Sequence, residues 1–130
     1  MAKWFTNKEF TRSATAERLG IKNEVPEELQ DNAAYTLQRL DEIREAYGRP
    51  IIITSGYRCP ALNKAVGGKP NSQHTKAQAA DIKWSSYLWE FILNYCKFDQ
   101  LIEETSRRTK WIHISFNKEG ERNQVIHLRV

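Results

Sequence analysis

Residues 26–48, PEELQDNAAYTLQRLDEIREAYG, place Leu29, Ala33, Leu37, Leu40 and Ile43 three or four positions apart. That spacing puts one apolar stripe along one side of a helix. Pro26 stands in its first turn and Gly48 just past its end, where each residue type is best tolerated. A long helix with a single apolar side must be covered by something else in the chain. The stretch that follows, RPIIITSGYR, begins to supply the cover: the β-branched run at 51–54 reads as a buried strand, broken by Ser55 and Gly56.

The remaining segments fall around this unit. TNKEF (6–10) and TAERLG (15–20) read as short capped helical turns; Thr6 and Glu9 have capping-box spacing and Gly20 is placed as a stop. PALNKAVGG (60–68) is a short helix ending in two glycines, and KPNSQHTK is a loop by composition. AADIKW (79–84) reads as a strand. SSYLWEFILNYCKF (85–98) reads as a second amphipathic helix capped by Ser85 or Ser86, with Trp84, Tyr87, Trp89 and Phe91 mostly on its core side. DQLIEE (99–104), KWIHISF (110–116) and NQVIHLRV (123–130) are strands, with TSRRT and NKEGER as hairpin connections. Helices come first and strands last, so the expected class is α+β: N-terminal helices packed on a small, mostly antiparallel sheet. A length of 130 residues suits one domain, 1–130, with a core of its own.

Charge and cysteine content narrow the setting. The net charge of +4 favours anionic partners without choosing among them. A nucleic-acid binder would cluster its basic residues with exposed aromatics, but here acidic and basic residues alternate, as in QRLDEIRE and NKEGER, so no nucleic-acid partner is expected. Arg107, Arg108 and Lys110 read as a solvated turn. Cys59 and Cys96 are too few for a disulfide framework and read as thiols. No run of about 18 apolar residues exists, so no membrane span is expected. The start, MAKWFTNKEFTRS, lacks the apolar core of a secretory signal. The expectation is a monomer made in the cytoplasm.

Chemistry enters at SQHTKAQAAD (72–81), where His74 and Asp81 stand seven positions apart. The chain has three histidines. His113 lies in WIHIS, where alternation puts Trp111, His113 and Ser115 on one strand face and Ile112 and Ile114 on the other. His74 from a loop, Asp81 from a strand and His113 from another strand can complete a three-ligand site. Two imidazoles and one carboxylate suit zinc with a fourth position open for water, an arrangement that makes hydroxide available near neutral pH. His127, between Ile126 and Leu128, has no partner in its own motif and reads as structural.

SGYRCPALNKAVGG, then SQHTKAQAADI, then WIHISF, in that order, resemble the zinc D-alanyl-D-alanine carboxypeptidase family, peptidase M15, in its small single-domain and phage murein hydrolase forms. The resemblance runs from FTNKEFTRSATAERLGI to the final strands. It implies the hedgehog/DD-peptidase type of α+β fold, Zn²⁺ held by His74, Asp81 and His113, and Arg58 facing the substrate carbonyl. Ser72 and Gln73 are implied hydrogen-bond donors in the cleft, with Ser72 alternatively a loop cap. The family commonly has glycine where Ala77 stands, and alanine is acceptable there if its φ is negative. Several relatives place an acidic residue three before the last histidine, but here that residue is Lys110. Another arrangement, resembling QLIxE followed by a hairpin and WIH, points to Glu104 as the general base; it shares a strand face with Gln100 and Ile102, and Glu103 is the second choice. The implied function is zinc-dependent hydrolysis of D-amino-acid-containing bonds of peptidoglycan stem peptides, by a chain released to reach the wall as a phage or prophage lysin is. The alternative is a metal-binding module of the same fold with little or no turnover. Carboxypeptidase and endopeptidase activity, and the source, stay open.

Overall fold

The computed structural model describes residues 3–130. Five α-helices and five strands follow one another as α1 (Asn7–Thr11), α2 (Ala14–Leu19), α3 (Gln30–Tyr47), β1 (Ile53–Ser55), α4 (Pro60–Ala65), β2 (Ala79–Lys83), α5 (Ser86–Tyr95), β3 (Gln100–Thr105), β4 (Lys110–Ser115) and β5 (Gln124–Arg129). The class is α+β, as expected.

Local signals set most helix boundaries. Thr6 and Glu9 form the full capping box of α1, which satisfies two orphan N–H groups at once. Ser13 caps α2 and Ser85 caps α5 by accepting from backbone N–H groups. Gly20 and Gly48 take the left-handed conformation that closes α2 and α3, at φ 69° and 75°. Pro26 lies outside the helix it was expected to enter. It is extended, and Glu27–Leu29 form a short 3-10 turn before α3 begins. On α3, Ala33, Leu37, Leu40 and Ile43 are buried together with Thr36.

The sheet has the order β1-β2-β4-β3-β5. The β1–β2, β2–β4 and β4–β3 pairings are antiparallel. TSRRT does form the hairpin between β3 and β4, since Thr105 pairs with Lys110. NKEGER does not form one. β5 runs parallel to β3, with Gln100 opposite Gln124 and Thr105 opposite Arg129, so the last connection crosses over β3 and docks on its far edge. β1 is also shorter than expected. Ile51 and Ile53 are buried while Ile52 is half exposed, because an edge strand with one covered side alternates rather than burying every residue.

One side of the sheet is the core. Ala80, Ile82, Ile112, Ile114 and Leu101 are wholly buried and join a single cluster with Leu37, Leu40 and Ile43 of α3 and Leu88, Trp89 and Ile92 of α5. Tyr87 departs from its expected place in that core: it is 73% exposed. The other side carries Asp81, His113, Ile102 and Glu104, because Asp81 pairs with His113, His113 with Ile102 and Trp111 with Glu104. Cys59 and Cys96 are free thiols. Among the described residues no helix is long and apolar enough to cross a membrane.

Candidate metal centre

The segment expected as a plain loop contains a 3-10 turn, Gln73–Lys76, that carries His74 over the polar side of the sheet. Ser72 is its cap, accepting from the His74 N–H at 3.2 Å. The turn closes at Ala77, which has φ 57°. The negative φ that would make alanine readily acceptable here is not what the backbone adopts. Ala77 takes the left-handed conformation, with its methyl fully buried and its carbonyl accepting from the Thr36 hydroxyl at 2.8 Å. The turn hands the chain directly to β2 and Asp81.

The three expected ligands meet. His74 Nε2 and His113 Nδ1 each lie 3.2 Å from the same oxygen, Asp81 Oδ1. The rings stand edge to face at 5.1 Å. One ligand atom from each of the three residues falls within 4.8 Å of the others, and all three residues are buried. His74 Nδ1 donates to the Gly56 carbonyl at 2.7 Å. A carbonyl can only accept, so Nδ1 carries a proton, and Nε2 is the nitrogen turned toward the carboxylate and placed to ligate a metal. Two imidazole nitrogens and a carboxylate oxygen buried this close together form a set that one divalent cation can share. An ion with bonds of about 2.0–2.1 Å to nitrogen and oxygen in tetrahedral geometry has ligand–ligand edges of about 3.3 Å, close to the spacing found. The donor set therefore fits a divalent metal.

Neighbours hold the set in place. A Cβ on Gly56 would come 2.2 Å from the Phe10 carbonyl oxygen and 2.6 Å from its ring, so only glycine lets the chain pass there and aim its carbonyl at His74. The Tyr57 N–H donates to the same Phe10 oxygen at 2.8 Å, which ties the site to α1. The Arg58 N–H donates to the His74 carbonyl at 3.1 Å.

The remaining expected residues divide. Glu104 lies beside the centre, its Oε1 3.9 Å from His113 Nδ1. Burial, with the Asp81 charge second, raises its pKa above the ordinary carboxylate value. Burial pulls Asp81 the same way, but the charges and hydrogen bonds of His74 and His113 outweigh it and hold that carboxyl well below its usual range. Burial lowers the Arg58 pKa against the pull of Asp81 and Glu104; its Nη2 stands 3.7 Å from Asp81 Oδ2. Glu103, the second choice for base, points to the other side of the sheet. It pairs with Lys110 at 2.7 Å and His127 at 2.6 Å. His127 thus has a partner that its own motif does not reveal, and its side chain is largely exposed. Gln73 was expected to donate into the cleft, but its amide donates to Asp99 Oδ2 at 2.9 Å.

Sequence reasoning missed Asp99. Its side chain is buried and takes Arg122 Nε at 2.9 Å, Arg122 Nη2 at 2.7 Å, the Arg122 N–H at 3.0 Å and Gln73. The Arg122 guanidinium, more than any other group, brings its pKa down to about 2. No spacing signal joins residues 73, 99 and 122; only the crossover into β5 brings them together.

Comparison with known proteins points the same way. The chain is 40% identical over 52 residues to the zinc D-Ala-D-Ala carboxypeptidase of Streptomyces albus G, an alignment covering 39% of this chain. The aligned part spans 20% of that relative's length. The pattern of peptidase M15 matches residues 3–115, which reach from the start of the described chain to the end of β4 and include every residue placed around the centre except Arg122. A histidine–aspartate–histidine cluster of this geometry, inside a match that long, has one family reading: the chain belongs to the peptidase M15 family.

Proposed function

We propose that this chain is a zinc-dependent peptidase that hydrolyses D-amino-acid-containing bonds of peptidoglycan stem peptides. The observation that carries the reading is the convergence of His74, Asp81 and His113, with one carboxylate, Glu104, poised 3.9 Å from His113. Zinc would be held by His74 Nε2, Asp81 and His113 Nδ1, and would supply Lewis-acid polarisation of a carbonyl and a more acidic water at neutral pH.

The chain's own residues divide the remaining work. Glu104 takes a proton from the attacking water and returns it to the departing amine as the C–N bond breaks. Its raised pKa suits both transfers, since a base with a pKa nearer the working pH gives the proton back more readily. Arg58 keeps its charge and donates to the carbonyl oxygen as negative charge develops there. Ser72 and Gln73 shape the cleft wall, Ser72 as the turn's cap and Gln73 through Asp99. The Streptomyces relative, a zinc D-Ala-D-Ala carboxypeptidase, and the family's peptidase chemistry support this substrate class. The acting unit is a monomeric domain over 1–130, of which Met1 and Ala2 lie outside the described residues, working on the wall with no nucleic-acid or membrane partner.

Purified peptidoglycan and a D-Ala-D-Ala-terminated peptide, digested with and without chelator and read by mass spectrometry, test the proposal. Zinc-loaded protein should release fragments, and chelator should stop it. Glu104→Gln should keep its zinc and lose about 10²- to 10⁴-fold in kcat. Full activity in that variant removes Glu104 as base; zinc-loaded wild type that cleaves neither material sinks the peptidase reading and leaves the metal-binding module.

A further inference from the structure

We propose that Asn63 is a positioning residue: its amide holds the Arg58 guanidinium off Asp81, so that the carboxylate stays free for metal and the arginine stays turned toward substrate. The inference rests on the roles given above to Asp81 and Arg58.

Asn63 sits on α4, a helix that contributes nothing else to the centre, and is 3% exposed. Its Oδ1 accepts from Arg58 Nη1 at 3.1 Å, and its Nδ2 donates to the Lys69 carbonyl at 2.8 Å. The two partners fix the amide's orientation, because a flip would set donor against donor at one end and acceptor against acceptor at the other. Gly68 seals the arrangement. Its N–H donates to the Asn63 carbonyl at 2.8 Å. A Cβ at that position would stand 2.0 Å from Asn63 Oδ1 and 2.8 Å from Arg58 Nη1. The chain thus leaves out a side chain at residue 68 where one would break this contact.

Arg58 has reason to move without that hold. Its Nη2 is 3.7 Å from Asp81 Oδ2, and its Nε has no hydrogen-bond partner among the described residues. A buried guanidinium that loses one acceptor turns to the nearest remaining anion. Closure onto Asp81 would draw the carboxylate away from the two imidazoles and withdraw the donor fork from the cleft. Groups one layer behind metal ligands commonly change metal affinity by about 10- to 100-fold.

The test is a double-mutant cycle of Asn63→Leu and Arg58→Ala, read first by zinc affinity in competition with a chelating dye and then by peptide hydrolysis. Asn63→Leu alone should weaken zinc binding about tenfold, and should add nothing in the Arg58→Ala background, where no guanidinium remains to close. Gly68→Ala, which keeps both residues but crowds their contact, should weaken zinc in the same direction and decides the matter if Asn63→Leu does not fold. Equal losses in both backgrounds would make Asn63 a mere loop brace and overturn the proposal, as would unchanged zinc affinity in folded Asn63→Leu or Gly68→Ala. Because zinc affinity needs no substrate, a wild type that binds zinc but cleaves nothing ends the peptidase reading while the cycle still judges Asn63.

Discussion

Ala77 shows how one residue can hold opposing demands. Its φ of 57° is a conformation that costs an L-residue about 1–2 kcal/mol. Its methyl is wholly buried in the core, which returns about 0.8 kcal/mol, and glycine would add unfolded-state entropy of about 0.5–1 kcal/mol. The terms nearly cancel. Ala77→Gly should therefore change stability by less than about 1 kcal/mol in urea denaturation, whereas Ala77→Val, β-branched at positive φ with no free space, should cost more than about 2 kcal/mol. Marked stabilisation by glycine would mean that backbone strain dominates at this turn. The same residue explains why the sequence misled about its backbone: alanine in a helix-poor stretch gives no sign of its φ, and only the closing of the 3-10 turn into β2 imposes it.

At the scale of elements, the docking of β5 is the point where local reading failed. Strand character over residues 124–129 was legible from composition, and its partner was not. What fixes the parallel pairing is a polar clamp at the strand entrance. Asp99 binds Arg122, its carbonyl accepts from the Gln124 N–H at 3.0 Å, and the Phe98 carbonyl accepts from the Asn123 N–H at 3.0 Å. The Asp99 carboxyl, at about 2 when folded, lies below its unfolded value near 3.9. Its contribution is present above the unfolded value and is lost as pH falls toward about 2. A depression of this size corresponds to roughly 2–3 kcal/mol. Chemical denaturation from pH 6 downward should show wild type above Asp99→Asn by about that amount, with the gap closing between about pH 4 and pH 2. A gap that does not depend on pH would assign the clamp to packing instead of charge.

For the whole molecule, the centre joins parts that are far apart in the chain. Phe10 of α1 fixes Gly56 and through it His74; β2 brings Asp81; β4 brings His113; β3 brings Glu104. A metal bound across elements stabilises the native state and not the unfolded one, by about 2.7 kcal/mol at a concentration one hundred times Kd. For a chain of this size that should raise Tm by about 10 °C, reversed by chelator in a thermal scan. A Tm indifferent to zinc would show that the three side chains do not share an ion in solution.

The sequence by itself determined the α+β class and nearly every element, because these depend on short-range periodicity, caps and strand alternation; it singled out His74, Asp81, His113 and Glu104 as candidates through an order of motifs that resembles the family's. Strand alternation alone separated Glu104 from Glu103, since the two point to opposite sides of any strand that holds them. Tertiary structure decided what local pattern cannot encode. It set the parallel partner of β5, the left-handed turn at Ala77, the burial of Asp99 against Arg122, and the grip of Asn63 on Arg58. Each of these arises from contact between segments whose separation in sequence carries no spacing signal, so only the folded chain could bring their charges and amides within hydrogen-bonding reach.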